Sequence, residues 1–126
     1  IMGNIGEGGQ GKVLLAKLNT SGELFAMKLF LKERLSTTEK AERVLREARA
    51  LQEARHPFIV ELQGAFQDDQ YVYMLLEYAG GGDLYARLES LRTVLAPREL
   101  RVATAEVGMA LSHLHGLGYM YRDLKA

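Results

Sequence analysis

Strand-like segments dominate the chain up to Gly80, and helical segments follow it. Gly3 to Lys17 reads as a strand, a glycine turn and a second strand, and Asn19-Thr20-Ser21-Gly22 supplies the next turn. Leu24 to Phe30 is a third strand, with Phe25, Met27 and Leu29 alternating against Leu24, Ala26, Lys28 and Phe30. Ser36 to Ala54 is the clearest helix. Ala41, Val44, Leu45, Ala48 and Leu51 recur there at three- and four-residue steps on one face. Ser36 and Glu39 have capping-box spacing at its start, and His56-Pro57 stops it, because proline disfavours helix in the residue ahead. Two more strands, Ile59 to Phe66 and Tyr71 to Glu77, flank the turn Gln67-Asp68-Asp69-Gln70. Gly80-Gly81-Gly82 then interrupts every pattern and marks a boundary between residues 1–79 and 80–126. A short helix from Asp83 and a longer one from Pro97 to about His115 follow, the second with an apolar stripe of Leu100, Ala103, Val107, Ala110, Leu111 and Leu114. Gly116 and Gly118 end it.

Composition narrows the classes. A chain of 126 residues fits one compact domain, and 48% apolar with 25% charged residues is a globular balance rather than a disordered one. Lysine plus arginine equals aspartate plus glutamate, 16 against 16, which argues against a nucleic-acid or membrane-surface binder driven by bulk charge. No apolar run approaches the roughly 20 residues of a membrane span. With no cysteine there is no disulfide or thiolate metal site, and a reducing, cytoplasmic location fits best. His56, His113 and His115 lack carboxylate partners at metal-ligand spacing and read as structural, so no metal site is expected. Met74 and Met109 read as core residues.

Two features carry chemistry. Gly6-Glu7-Gly8-Gly9-Gln10-Gly11-Lys12-Val13 has the pattern G-x-G-x-x-G-x-V, in which bare backbone could approach a phosphate. A plain hairpin turn and a dinucleotide-binding loop are its rivals. The latter needs a helix directly after the third glycine, whereas Lys12 to Lys17 is strand-like. The second feature is Lys28, inside an otherwise apolar strand. It is either an edge-strand lysine facing water or a cation aimed at phosphates and held by a carboxylate of the next helix. Glu39, Glu42, Glu47 and Glu53 are available. Glu47 is preferred, because it lies mid-helix beside the apolar face, where a charge needs a partner.

The order of these pieces resembles the eukaryotic protein kinases along the whole chain: glycine loop, Ala26-Met27-Lys28, a helix carrying Glu47, Glu77-Tyr78-Ala79, and Tyr121-Arg122-Asp123-Leu124-Lys125. Lys125, two residues after Asp123, resembles the serine/threonine class. Tyr121, the Phe25–Lys28 strand and the Gly-Gly-Asp-Leu segment resemble the AGC group, with its cyclic-nucleotide-dependent, Akt-like and S6-type members.

The resemblance implies an α+β fold: a kinase-like N-lobe of five antiparallel strands and one helix, then a truncated helical C-lobe. It implies ATP as phosphate donor, magnesium, and a protein substrate bearing serine or threonine, the AGC group favouring basic motifs. Gly6, Gly8 and Gly11, with Glu7 between them, would cover the phosphates. Val13 and Ala26 would sandwich the adenine above and Leu84 below, with Leu76 behind it. Glu77 and Ala79 would bond the adenine through their backbone, and Asp83 would reach the ribose. Lys28, paired with Glu47, would hold the α- and β-phosphates. Asp123 would be the catalytic base, Lys125 would steady the transferred group, and Arg122 would meet a phosphorylated loop. Leu51, Leu62 and Tyr121 would form a hydrophobic column between the lobes. The chain departs from the pattern at Gly9-Gln10, which lacks the usual hydroxyl and aromatic pair, and at Ala126. The implied magnesium ligands fall beyond Ala126, so the chain alone is expected to be inactive, with its Pro97–His115 stripe lying open.

Overall fold

The computed structural model describes residues 1–8 and 11–124. Strands β1 (Gly3–Gly8), β2 (Gly11–Lys17), β3 (Leu24–Leu31), β4 (Leu62–Gln67) and β5 (Tyr71–Glu77) form one sheet in the order β1-β2-β3-β5-β4, with every neighbouring pair antiparallel. Helix α1 (Thr38–Glu53) connects β3 to β4, and α2 (Leu84–Leu91) and α3 (Pro97–Gly116) follow the sheet. The expected five-stranded antiparallel sheet with a helix, then further helices, is what forms. Its one crossover follows from α1, which lets β4 enter at the edge and leaves β5 to pair with β3.

Phe30, Val44 and Met74 make the core cluster, with Leu35, Ala48, Leu62, Val72 and Leu76 packed around it. Val44 is the residue of α1 that seats the helix on the sheet, while Leu45, 100° further round, is 55% exposed and leaves the expected stripe. Met74 is buried as expected, but Met109 is 53% exposed. Along α3, Ala110 is buried and Ala103, Leu111 and Leu114 are half-buried, while Leu100 and Val107 stand exposed. The stripe is therefore only partly open.

Element boundaries differ from the sequence pattern in two places. A 3-10 turn at Lys32–Leu35 occupies the approach to α1 and leaves Ser36 with helical angles. An N-cap needs extended backbone, and Thr37 has it (φ −104°, ψ 144°), so its Oγ1 accepts from the Lys40 amide at 3.4 Å. The Ser36–Glu39 box therefore does not form. Strand β4 starts at Leu62 rather than Ile59, because the Ile59 amide donates back to the His56 carbonyl in the turn after Pro57. The β4–β5 turn is fastened by Asp68, whose Oδ1 accepts from the Gln70 and Tyr71 amides and whose Oδ2 accepts from the Tyr73 hydroxyl at 2.6 Å. Those bonds, the tyrosine's first, hold its carboxyl below the ordinary value.

Candidate functional site

Directly opposed residues in antiparallel strands share a face. The register makes one row of Gly6, Val13, Lys28, Met74 and Ala65, and the neighbouring row holds Leu15, Ala26, Leu76 and Leu62. Five expected site residues, Gly6, Val13, Ala26, Lys28 and Leu76, thus lie on one face of the sheet. It is the face on which Val44 of α1 meets Phe30 and Met74. Gly6 and Lys28 stand two strand spacings apart, about 10 Å.

Lys28 sits in the central strand and not at an edge. Its Nζ lies 2.6 Å from Glu47 Oε1, and the two side chains are 19% and 30% exposed. Glu47 reaches it because it follows Val44 by three residues, which sets it on the flank of the buried face. The same ammonium is 5.0 Å from the centroid of the Phe30 ring, which covers it on the core side. Of the four carboxylates in the helix, Glu47 is the one joined to Lys28. A hydrogen bond between charged groups contributes about 1.5–3 kcal/mol, less what partial solvation removes. The pair holds a cation at a fixed point on the sheet face.

Gly6 and Gly11 of the glycine motif are glycine for different reasons. Gly11 has φ +151°, and a Cβ there would stand 2.1 Å from the Leu29 carbonyl oxygen, so the hairpin itself excludes any side chain. A Cβ on Gly6 would meet the Val13 side chain at an ordinary 3.6 Å. After Gly11 the chain runs on as β2, without the helix that a dinucleotide loop requires. The loop tip Gly9-Gln10 and Lys125 lie outside the described residues.

At the end of β5 the Glu77 amide donates to the Glu61 carbonyl at 2.9 Å, and Glu77 Oε2 accepts from the Glu61 amide at 3.3 Å. Of its backbone groups, the carbonyl is thus the one Glu77 can offer a ligand. Ala79 is exposed, and Leu84, the first residue of α2, is 39% exposed. Asp83 is the N-cap of α2, its Oδ1 accepting from the Ala86 amide at 2.6 Å, a local duty the sequence reading did not assign. Asp123 is exposed and follows Arg122, whose left-handed φ of +57° turns the chain just before it. Of the expected column, Leu62 packs on the core and Leu51 is half-buried, but Tyr121 is 54% exposed.

An open cavity of about 700 Å³ lies between the β1–β2 hairpin and α1, with Glu7, Gly11, Phe30, Arg43 and Glu47 in its wall. Val13, Ala26, Leu76 and Glu77 do not line it. Among the described residues no three histidine, aspartate or glutamate side chains gather to hold a metal ion. No described helix is long and apolar enough to cross a membrane.

Residues 1–126 match the family model for the protein kinase domain. The chain belongs to the protein kinase domain family. It is 40% identical over 122 residues to Serine/threonine-protein kinase ppk22 of Schizosaccharomyces pombe, a match covering 96% of this chain and 23% of that protein. It is likewise 40% identical over 122 residues to Serine/threonine-protein kinase Sgk2 of Mus musculus, with 96% and 33% covered. To Ribosomal protein S6 kinase alpha-2 of Mus musculus it is 41% identical over 124 residues, with 96% and 17% covered. The chain thus spans a third or less of these relatives. It is a serine/threonine-kinase-like, AGC-like kinase domain portion.

Some contacts had no sequence signal. Tyr119 donates its hydroxyl to Glu53 Oε2 at 2.9 Å across 66 positions of chain, and the His56 and His113 rings lie 5.1 Å apart. Helix periodicity reports which residues share a face, but not which distant segment meets it. The Phe30 ring over Lys28 was legible in principle, since residues two apart in a strand share a face.

Proposed function

We propose that the protein containing this chain transfers the γ-phosphate of ATP to serine or threonine hydroxyls of protein substrates, and that this chain supplies the nucleotide cradle and the catalytic aspartate. Residues 1–79 would form the nucleotide-binding lobe and 80–126 the start of the helical one. Gly6, Gly8 and Gly11 would bring backbone amides to the phosphates. Lys28, kept in place by Glu47, would hold the α- and β-phosphates. Val13, Ala26, Leu76 and Leu84 would enclose the base, the Glu77 carbonyl and Ala79 would bond its edge, and Asp83 would keep one oxygen for the ribose. Asp123 would orient the substrate hydroxyl and accept its proton, and Lys125 would steady the group in transit. Magnesium would neutralise the phosphate charge.

The observation that supports this reading best is the 2.6 Å Lys28–Glu47 contact on the same sheet face as Gly6, Val13 and Ala26. Adding ATP should raise the melting temperature of the wild-type chain by roughly 10 °C at 100 times Kd, the shift such binding gives a domain of this size. Lys28→Met should abolish that rise, and should also lower the melting temperature without nucleotide by a few degrees, because the bond to Glu47 is lost. A rise of equal size in Lys28→Met would refute the cradle. The cavity of about 700 Å³ on the α1 side of the ion pair supports a second reading, a module that binds a partner or nucleotide without transfer. Phosphate incorporation by the full-length protein, lost in Asp123→Asn, separates the two.

A further inference from the structure

Helix α1 carries Glu47, and its placement therefore decides where Lys28 points. Val44 and Ala48 seat the middle of the helix on the core and Ala54 is buried just past its end, so its tilt is decided by the contacts made there. Its C-terminal residue, Glu53, lies six residues beyond Glu47, about 9 Å along the axis. The Glu53 carboxylate accepts the Tyr119 hydroxyl at 2.9 Å, and this bond raises the phenol's pKa above its ordinary value. Arg49, one turn earlier on α1, faces the same phenol and acts on it in the opposite sense.

The chain reaches this point by reversing at the end of α3. Gly118 adopts φ +83°, and the Tyr119 amide folds back to donate to the Leu114 carbonyl at 2.9 Å. Tyr119 is therefore anchored to α3 by its backbone and to α1 by its hydroxyl. Beside it, the rings of His56, just past α1, and His113, in the last turn of α3, lie 5.1 Å apart with 30° between their planes. Four residues after Tyr119 comes Asp123.

We propose that Tyr119 is a positioning residue: through Glu53 it locks the tilt of α1, and so fixes the Lys28–Glu47 pair relative to the Asp123 segment. This rests on the nucleotide-cradle reading for its consequence, but not for its geometry. Removing the hydroxyl frees the end of α1, lets Glu47 drift from Lys28, and leaves an amine that is both more reactive and less well aimed.

The test compares Tyr119→Phe, Glu53→Ala, Glu53→Gln and the Tyr119→Phe/Glu53→Ala double variant in the full chain. The rate at which an amine-acylating reagent modifies Lys28 is read by mass spectrometry and needs no nucleotide. Tyr119→Phe and Glu53→Ala should label Lys28 roughly two- to fivefold faster, the factor expected for losing one solvent-exposed hydrogen bond. The double variant should be no faster than either single one. Glu53→Gln, which keeps an acceptor oxygen, should recover most of the loss. Hydrogen exchange of the amides from Val44 to Leu51 gives a second measurement for any variant that melts early. ATP affinity should weaken in parallel with the labelling. Wild-type labelling rates in both single variants would overturn the proposal, as would additive effects in the double. If the wild type binds no ATP, the cradle reading fails, while the labelling still decides the latch.

Discussion

Two glycines five residues apart show how one residue type can answer to different constraints. Gly11 is dictated by the hairpin, since a Cβ would overlap the Leu29 carbonyl at 2.1 Å. Gly6 has room for a methyl group against Val13 at 3.6 Å, so the fold does not require glycine there. The fold and the nucleotide can therefore be separated by two substitutions. Gly11→Ala should lower stability by about 3 kcal/mol in urea unfolding, the cost of a forced backbone conformation with a steric overlap. Gly6→Ala should change stability by less than about 0.5 kcal/mol, as substitutions at roomy sites do. It should nonetheless weaken the ATP-induced melting shift. Equal destabilisation by both would show that the turn geometry is wrong. Lys28 and Glu47 belong to this scale too. They were identifiable from a charge inside an apolar strand and a carboxylate beside an apolar helical stripe, because both are local departures from periodicity.

At the scale of elements, α1 shows how a neighbouring turn moves a helix boundary. Ser36 and Glu39 have the right residue types and spacing for a cap. The 3-10 turn at Lys32–Leu35 nevertheless gives Ser36 helical angles and hands the cap to Thr37. Thr37→Ala should therefore cost about 1 kcal/mol, the usual value of a lost N-cap. Ser36→Ala should cost less than about half of that. Urea unfolding followed by circular dichroism measures both, and the reverse ranking would restore the sequence-based boundary. The start of β4 shifted for a similar reason. The pattern saw apolar residues from Ile59, but the amide of that residue is already spent on the turn after Pro57.

At the scale of the molecule, the sheet and α1 are joined through a small cluster whose most enclosed member is Met74, 1% exposed. Met74 stands opposite Lys28 in the register, so the core and the candidate site share one row of the sheet. Met74→Ala should cost about 2–5 kcal/mol in urea unfolding, the range for emptying a packed site of this size. It should also weaken any ATP-induced stabilisation, since α1 loses its seat. A loss below about 1 kcal/mol would mean that the cluster does not carry the fold. Sequence alone determined the kinds and order of the elements and the glycine turn, and marked Lys28 and the flank position of Glu47 as departures from periodicity, because each is written in spacings of two to four residues within an element; that the two meet was decided by the packing of α1 on the sheet. The strand order, the exposure of Met109, the capping duty of Asp83 and the bond from Tyr119 to Glu53 were decided by the tertiary structure. They depend on which distant surfaces meet and on the backbone angles those meetings impose, and a local pattern contains neither.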